Sequence, residues 1–270
     1  MHRSRSARRP LRRRALPVLA ALLAAGCAPA EGASLADAGD FTVVYDTPAS
    51  PDYRQWQADL RGVRVLEDVA DALNETFVLP EDVRLTFAEC GEANAFYEPD
   101  ERRIRICYEL MDDLYGVFGE AAGSEEEVNE AAWGAIYFTL YHELGHALVH
   151  LLDLPITGRE EDAVDQLAAF LLTDGTEEGG KAAISGANAF LLEHDRGGGV
   201  DEAALWNEHS LDSQRFYNIV CWVYGRDPEA YAYLVEDGTL PADRAELCTE
   251  EYERLDRSWA GLLSPYLKPQ

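Results

Sequence analysis

The sequence predicts an α+β fold, in which a small N-terminal sheet is followed by a mostly helical C-terminal half. Short stretches rich in β-branched and aromatic residues lie before residue 110, whereas long amphipathic stretches with helix caps follow it. No internal repeat or long low-complexity tract interrupts the chain. Residues 41–270, about 230 in number, can bury a full hydrophobic core as one unit or as two tight lobes.

The first half of the chain contains the predicted strands. The segment from Cys90 to Cys107 contains a Pro99-Asp100 turn and the alternating Ile104-Arg105-Ile106, which together predict a hairpin. The other elements predicted before it are a strand over Phe41–Tyr45, a helix over about Gly62–Phe77 and a strand over Arg84–Phe87.

The second half reads as a series of helices. Ser124 and Glu127 form a capping box that opens a long apolar helix. After a break between Pro155 and Gly158, a second helix runs to about Leu172. Loops are predicted over 174–180 and 197–199, and further helices over about Ser213–Tyr224, Pro228–Glu236 and Ala242–Leu263.

The pentapeptide His142-Glu143-Leu144-Gly145-His146 carries the clearest chemical signal in the chain. Residues four apart lie on one face of a helix, so both imidazoles can reach one metal ion, which predicts about one Zn²⁺ per chain. Glu143 can then act as the base that takes a proton from a water on the metal. His150 cannot join the two histidines, since ligands at i, i+4 and i+8 would spread over ~12 Å of helix.

The third metal ligand is predicted from the acidic start of the next helix. Glu161 and Asp165 are again four residues apart. Glu161 can bind the metal, and Asp165 can accept a hydrogen bond from a ligand imidazole and orient it. The alternative is that this run is a solvated helix N-terminus, a description that suits Glu160 and Asp162.

These residues carry a resemblance to a known group of enzymes. His142 to His146, followed by Glu161-x-x-x-Asp165, resembles the glutamate-zincin clan, which includes the thermolysin-like peptidases. Asn94-Ala95-Phe96-Tyr97 resembles the edge strand with which those enzymes bind the substrate backbone. More closely, the chain is similar to an uncharacterised family of bacterial metallopeptidases over Cys90–Glu109, His142–Gln166 and Glu208–Gly225. The resemblance implies a zincin-like fold and a peptide or protein substrate.

A hydrolytic zinc site also needs a donor for the developing oxyanion. The segment from Glu208 to Tyr217 offers three candidates, namely His209, Arg215 and Tyr217. We expect His209 to take the catalytic role, with Arg215 and Tyr217 as further candidates. The alternative is that Arg215 pairs with an acid and that Tyr217 belongs to the core.

The N-terminus predicts export. Residues 1–14 hold seven arginines and no acidic residue, and Ala15–Ala25 is an apolar stretch of 11 residues, too short to span a membrane. Residues 1–26 therefore read as a signal peptide. The following Cys27 resembles the cysteine of a bacterial lipobox, which predicts lipidation of Cys27, a tether over 27–40 and a lipoprotein at the cell envelope. The alternative is ordinary cleavage that leaves a secreted or periplasmic enzyme.

The charge balance excludes some classes of partner. Removal of residues 1–26 leaves 16 basic residues against 50 acidic ones, a formal charge of −34. Such a domain repels nucleic-acid phosphates, so no nucleic-acid binding is expected. An anionic membrane surface is repelled as well, and membrane association is expected only through the lipid anchor.

Four cysteines remain when Cys27 is set aside, and they allow three pairings. In an oxidising compartment the simplest arrangement is two local disulfides, Cys90–Cys107 and Cys221–Cys248. A zinc role for these cysteines is not expected, because no Cys-x-x-Cys pair occurs.

Three functions fit the sequence. The first is a zinc peptidase, and the second is a zinc amidase that acts on a non-protein bond such as a cell-wall crosslink. The third is a surface lipoprotein that keeps the fold as a binding module without turnover. The presence of Glu143 favours the two enzymes, since a binding module has no need of that base.

Overall fold

A small mixed sheet forms the N-terminal part of the protein. The computed structural model describes residues 36–121, 123–197 and 202–269. Within them the sheet has the order β1-β2-β4-β3, with β1, β2 and β4 parallel and β3 antiparallel to β4 at the edge. The strands are β1 (Phe41–Val43), β2 (Val83–Ala88), β3 (Ala95–Glu98) and β4 (Arg103–Cys107).

Helices make up most of the described chain outside the sheet, and the α+β prediction is therefore confirmed. Two short 3-10 helices, Ala203–Trp206 and Ser264–Tyr266, accompany them. The α-helices are α1 (Pro51–Gly62), α2 (Val65–Thr76), α3 (Tyr108–Ala121), α4 (Glu125–Leu151), α5 (Glu160–Leu172), α6 (Glu177–Arg196), α7 (Asp212–Arg226), α8 (Tyr233–Glu236) and α9 (Ala242–Leu263).

Helix α4 runs through the core and positions the site. Ser124 caps its first turn by accepting a hydrogen bond from the Glu127 N–H, which confirms the predicted start. The helix packs against α3, α5, α6 and β3, so from Ala132 to Val149 nearly all of its side chains are buried. This burial on every side explains why its sequence is apolar all round and lacks the one-sided pattern of a surface helix.

Gly145, inside the pentapeptide, permits a close helix crossing. A Cβ at this position would lie 2.8 Å from Val164 Cβ and 2.9 Å from Val164 Cγ1. Only a glycine therefore allows α5 to pack this closely on α4. The crossing brings the first turn of α5 over the two histidines.

The structure differs from the helix prediction in three places. The predicted helix over Gly62–Phe77 begins at Val65, and α1 precedes it with Ser50 as N-cap and Pro51 at its first position. The predicted loop over 174–180 is confirmed only for 174–176, because α6 begins at Glu177 with Thr176 as its cap. Gly179 and Gly180 are packing glycines there, because a Cβ on them would meet the Leu172 carbonyl oxygen at 1.9 Å and the Tyr231 hydroxyl at 1.7 Å. The predicted helix over Pro228–Glu236 is shorter as well, since only Tyr233–Glu236 is α-helical.

Both predicted disulfides are confirmed. Cys90–Cys107 closes the hairpin segment with a sequence separation of 17, and Cys221–Cys248 joins α7 to α9. In the chain-entropy model, the loop closed by Cys90–Cys107, with its sequence separation of 17, contributes about 3 kcal/mol to stability. Two such bonds favour an oxidising compartment outside the cytoplasm.

The described residues form no helix that is long and apolar enough to cross a membrane. The predicted signal peptide and Cys27 lie outside the described residues, as does the tether as far as residue 35.

Candidate metal centre

The two histidines of the pentapeptide and Glu161 meet at the α4–α5 crossing. His142 Nε2 lies 3.2 Å from one Glu161 carboxylate oxygen, and His146 Nε2 lies 3.4 Å from the other. One ligand atom from each residue lies within 4.8 Å of the other two, so the group can hold a metal ion. The structure thus brings together the three residues predicted as ligands.

The second ring nitrogen of each histidine contacts a carboxylate. His142 Nδ1 lies 2.8 Å from Asp165 Oδ1, and His146 Nδ1 lies 2.8 Å from Glu160 Oε1. In a neutral imidazole, Nδ1 donates its hydrogen to that carboxylate, and Nε2 keeps a lone pair. Both lone pairs then face Glu161, in the geometry that orients histidines toward a metal.

This donor set fits a cation between its members. The Glu161 Oε2 atom is buried and has no aligned hydrogen bond, although His142 Nε2 and His209 Nε2 lie only 3.2 and 3.0 Å away. Two imidazole lone pairs and a carboxylate repel one another unless protons or a metal ion separate them. The residues therefore fit a divalent metal with nitrogen and oxygen ligands.

The sequence did not predict the contact of Glu160 with His146, because Glu160 was assigned to a solvated helix start. Each metal-binding histidine is expected to have an orienting acceptor, and only Asp165 had been assigned to that role. The search for a second acceptor would have drawn attention to Glu160, the residue beside the third ligand.

Arg215 and Asp165 form a buried ion pair behind His142. The guanidinium donates to both Asp165 oxygens, at 2.7 and 2.8 Å, and its Cζ lies 3.7 Å from the centroid of the Phe190 ring. Burial alone would raise the pKa of Asp165, but Arg215 and His142 lower it to about 2. The carboxylate thus stays ionised and holds the His142 ring. The structure gives Arg215 this pairing role, the alternative considered above, and its expected role as oxyanion donor remains untested.

His209 lies beside the same group from a different part of the chain. Its Nε2 is 3.0 Å from Glu161 Oε2, and its side chain is 38% exposed. The Arg159 side chain donates to the His209 carbonyl, and Ser210 donates to Asp162, so two contacts hold this segment on the first turn of α5. Tyr217, by contrast, is 40% exposed and packs on Phe216. The geometry therefore favours His209 among the three candidate donors.

Glu143 lies on α4, and its carboxylate contacts the edge strand β3. It is buried, and its carboxylate accepts a hydrogen bond from the Tyr97 backbone N–H. Burial raises the pKa of Glu143 above its ordinary value, although the two histidines oppose the shift. The carboxyl group is thus prepared to bind a proton.

The Asn94–Tyr97 segment contains most of β3 and lies at the free edge of the sheet. The Cys107 N–H donates to the Asn94 carbonyl, so the backbone groups of Asn94 and Phe96 face β4. Those of Ala95 and Tyr97 consequently face the open edge, next to Glu143. The Ala95 N–H is taken by the Asn94 side chain, which leaves the carbonyls of Ala95 and Tyr97 directed outward.

The pKa values of His142 and Glu161 reflect how closely these side chains pack together. Burial would lower the pKa of His142, but the contacts with Asp165 and Glu161 outweigh it and raise the pKa to about 9. Burial would raise the pKa of Glu161, but the three imidazoles around it hold that pKa far below its ordinary value. Glu161 is therefore an anion that attracts cations into the group.

His150 lies outside the group, in agreement with the sequence argument. Its Nδ1 is 2.8 Å from the Tyr97 hydroxyl, and its ring is exposed. The cysteines are likewise not metal ligands, since all four described ones are paired in disulfides.

Comparison with known proteins identifies a family. A family model described as "Putative metallopeptidase" matches residues 45–263. No curated protein and no solved structure matches the chain.

Proposed function

The chain belongs to this metallopeptidase family, and from that premise we propose that it is a zinc-dependent peptidase of the glutamate-zincin type. The observation that carries the proposal is the meeting of two imidazole nitrogens and the Glu161 carboxylate, each histidine being oriented by a further carboxylate. Two His and one Glu form a catalytic zinc ligand set that leaves a fourth position open. Zinc would supply Lewis acidity there and lower the pKa of a water molecule.

Glu143 is proposed as the general base. Its burial raises its affinity for a proton, and the Tyr97 N–H fixes its carboxylate beside the edge strand. A carboxyl group so placed can take a proton from the attacking water and pass it to the amine that leaves.

The substrate is proposed to bind along β3. An extended peptide can add to a free sheet edge through main-chain hydrogen bonds. The outward carbonyls of Ala95 and Tyr97 are suitable acceptors, and they lie on the strand that already contacts Glu143. A peptide bound there places one of its carbonyls near the base.

His209 is proposed as the donor to the oxyanion. Its Nδ1 and its backbone N–H both lie within hydrogen-bond distance of Asn207 Oδ1, at 3.1 and 2.9 Å, so this oxygen acts as their acceptor. Asn207 thus holds the ring with Nε2 beside Glu161. An N–H on that nitrogen can stabilise negative charge that develops on the carbonyl oxygen.

We propose further that the enzyme works outside the cytoplasm, as a lipoprotein anchored through Cys27. The two disulfides support an oxidising compartment. The anchor itself rests on the sequence of residues 1–27.

The proposal is tested by peptide hydrolysis. The exported protein, supplied with zinc, is incubated with a mixed peptide library, and new termini are identified by mass spectrometry. We expect cleavage by the wild type, none by Glu143→Gln, and loss of cleavage in the presence of a chelator. A wild-type protein that binds zinc but cleaves only cell-wall amides would establish the amidase function instead. A protein that binds zinc and cleaves neither class would be the binding module.

A further inference from the structure

A cavity lies at the end of the edge strand, next to the proposed substrate path. Its volume is about 450 Å³. Three segments line it, namely the loop before β2 with Glu81, the β3–β4 turn with Asp100 and Arg102, and the last turn of α4 with His150. None of these residues takes part in the mechanism above.

The cavity lies within reach of an extended substrate. His150 is four residues beyond His146 on α4, a rise of ~6 Å. Asp100 lies in the turn after β3, three residues beyond Tyr97, whose N–H contacts Glu143, and three residues span at most ~10 Å. A peptide that lies along β3 therefore brings a residue two or three positions from the scissile bond to this cavity.

The side chains of the wall are held by contacts with one another. The Tyr97 hydroxyl lies 2.8 Å from His150 Nδ1, and burial raises the pKa of Tyr97 to about 12, so the phenol remains neutral. The Arg102 guanidinium pairs with Glu81 at 3.1 Å. Arg102 also has a φ of 47°, a conformation that glycine adopts more readily. A costly backbone conformation at a cavity wall is a reason to look for function there.

The charges of the cavity favour a cationic ligand. Glu81 is neutralised by Arg102, whereas Asp100 makes no ion pair within the described part of the chain. Asp100 is exposed at the cavity, so one carboxylate remains available. The formal charge of the whole chain, −27, adds a negative field of the same sign.

We propose that this cavity is a specificity subsite, which binds a lysine or arginine side chain of the substrate with Asp100 as its counter-ion. The subsite rests on the proposed peptidase function, because its ligand is a residue of the bound peptide. It selects substrates and takes no part in the bond cleavage.

The test compares peptides of about ten residues that differ only by lysine, norleucine or glutamate at one scanned position. Binding to the zinc-supplied Glu143→Gln protein is measured by calorimetry, since this variant is expected to leave the peptide intact. We expect lysine to bind about 1.5- to 5-fold more tightly at one position, the range for an exposed ion pair, and the preference to fall with added salt. Wild-type cleavage rates should show the same preference.

Three variants identify the counter-ion. Asp100→Asn should abolish the preference, and Asp100→Lys should reverse it in favour of glutamate. Glu246→Gln, which removes one exposed charge from α9, should leave it unchanged. A lysine-to-norleucine ratio of one at every position, or a preference that survives in Asp100→Asn, overturns the subsite.

The two proposals fail in different ways. If the wild type cleaves peptides but shows no Asp100-dependent preference, the subsite is wrong and the peptidase function stands. If no peptide is cleaved but lysine still binds better through Asp100, the cavity binds cationic side chains and the peptidase function is wrong.

Discussion

At the scale of single residues, His142 and His146 each direct their two ring nitrogens to different partners. Nδ1 contacts an outer carboxylate, Asp165 or Glu160, and Nε2 faces Glu161. The outer contact selects the tautomer, and the tautomer directs the lone pair. The negative charge around the two imidazoles is thereby divided among Asp165, Glu160 and Glu161.

The first prediction concerns Glu160. Glu160→Ala should weaken zinc binding about 10-fold, because His146 loses the acceptor that orients it. Glu160→Gln retains an oxygen acceptor and should lose less. Zinc affinities are measured by competition with a chelating dye. Equal affinities for the wild type and the alanine variant would show that the contact does not orient the ligand.

The second prediction concerns Asp165 and pH. The folded pKa of about 2 lies below the ordinary value of 3.8, so the ionised carboxylate stabilises the fold above about pH 4, and this stabilisation is lost as the pH falls toward 2. The shift corresponds to about 2 kcal/mol. The difference in unfolding free energy between the wild type and Asp165→Asn, measured by urea denaturation of the metal-free proteins, should therefore shrink by about 2 kcal/mol between about pH 5 and pH 2. A difference that does not vary with pH would contradict the ion pair with Arg215.

Spacing along a helix accounts for the part of the site that the sequence predicted. His142 with His146 and Glu161 with Asp165 are four residues apart, and this spacing places each pair on one helix face. The partners of Glu160 and Arg215 depend on how α5 and α7 pack against α4, and spacing does not determine that packing. Arg215 is 50 residues from Asp165, so only the tertiary structure reveals their contact.

At the scale of elements, the crossing of α4 and α5 assembles the metal-binding group. The crossing is close because Gly145 has no side chain at the point where Val164 lies. The spacing of the two helices thus determines the distance between the imidazoles and Glu161.

The third prediction tests that crossing. Gly145→Ala should displace α5, destabilise the protein by about 1–3 kcal/mol through overpacking, and weaken zinc binding. Gly116→Ala on α3 is the control, because nothing lies within 4 Å of a Cβ there and alanine is the better helix former. Thermal unfolding and zinc titration are compared for both. If Gly145→Ala behaves like the control, the close crossing does not position the ligands.

The elements missed in the sequence lack clear boundary signals. Helix α3 begins at Tyr108, directly after the last residue of β4, with no turn residue between them. Helix α6 begins with two glycines in its first turns, which normally indicate a loop. Their role is to permit close packing against Leu172 and Tyr231, and this role is visible only in three dimensions.

At the scale of the whole molecule, a strongly acidic chain with two disulfides carries the site. The formal charge of −27 opposes binding to nucleic acids and to anionic membranes. We therefore predict that any association with a membrane depends on the N-terminal segment before residue 36.

The fourth prediction concerns that segment. Wild-type protein produced in a bacterial host should partition with membranes and carry acyl chains on Cys27, because two or more chains anchor a protein firmly. Cys27→Ser should not be lipidated and should not be held at the membrane by acyl chains. Membrane fractionation and mass spectrometry of the N-terminal peptide provide the measurement. An unmodified mature protein in the soluble fraction would show that the signal is an ordinary secretory one, and the peptidase proposal would be unaffected.

The fifth prediction tests the central claim, that His142, His146 and Glu161 hold a catalytic zinc ion. The decisive measurement is the metal content of the purified exported protein by elemental analysis, before and after zinc reconstitution. We predict about one zinc per chain in the wild type and in Glu143→Gln, and a large loss of zinc in Glu161→Ala. A wild-type protein that binds no transition metal after reconstitution, or a Glu161→Ala protein that retains full zinc affinity, would contradict the account.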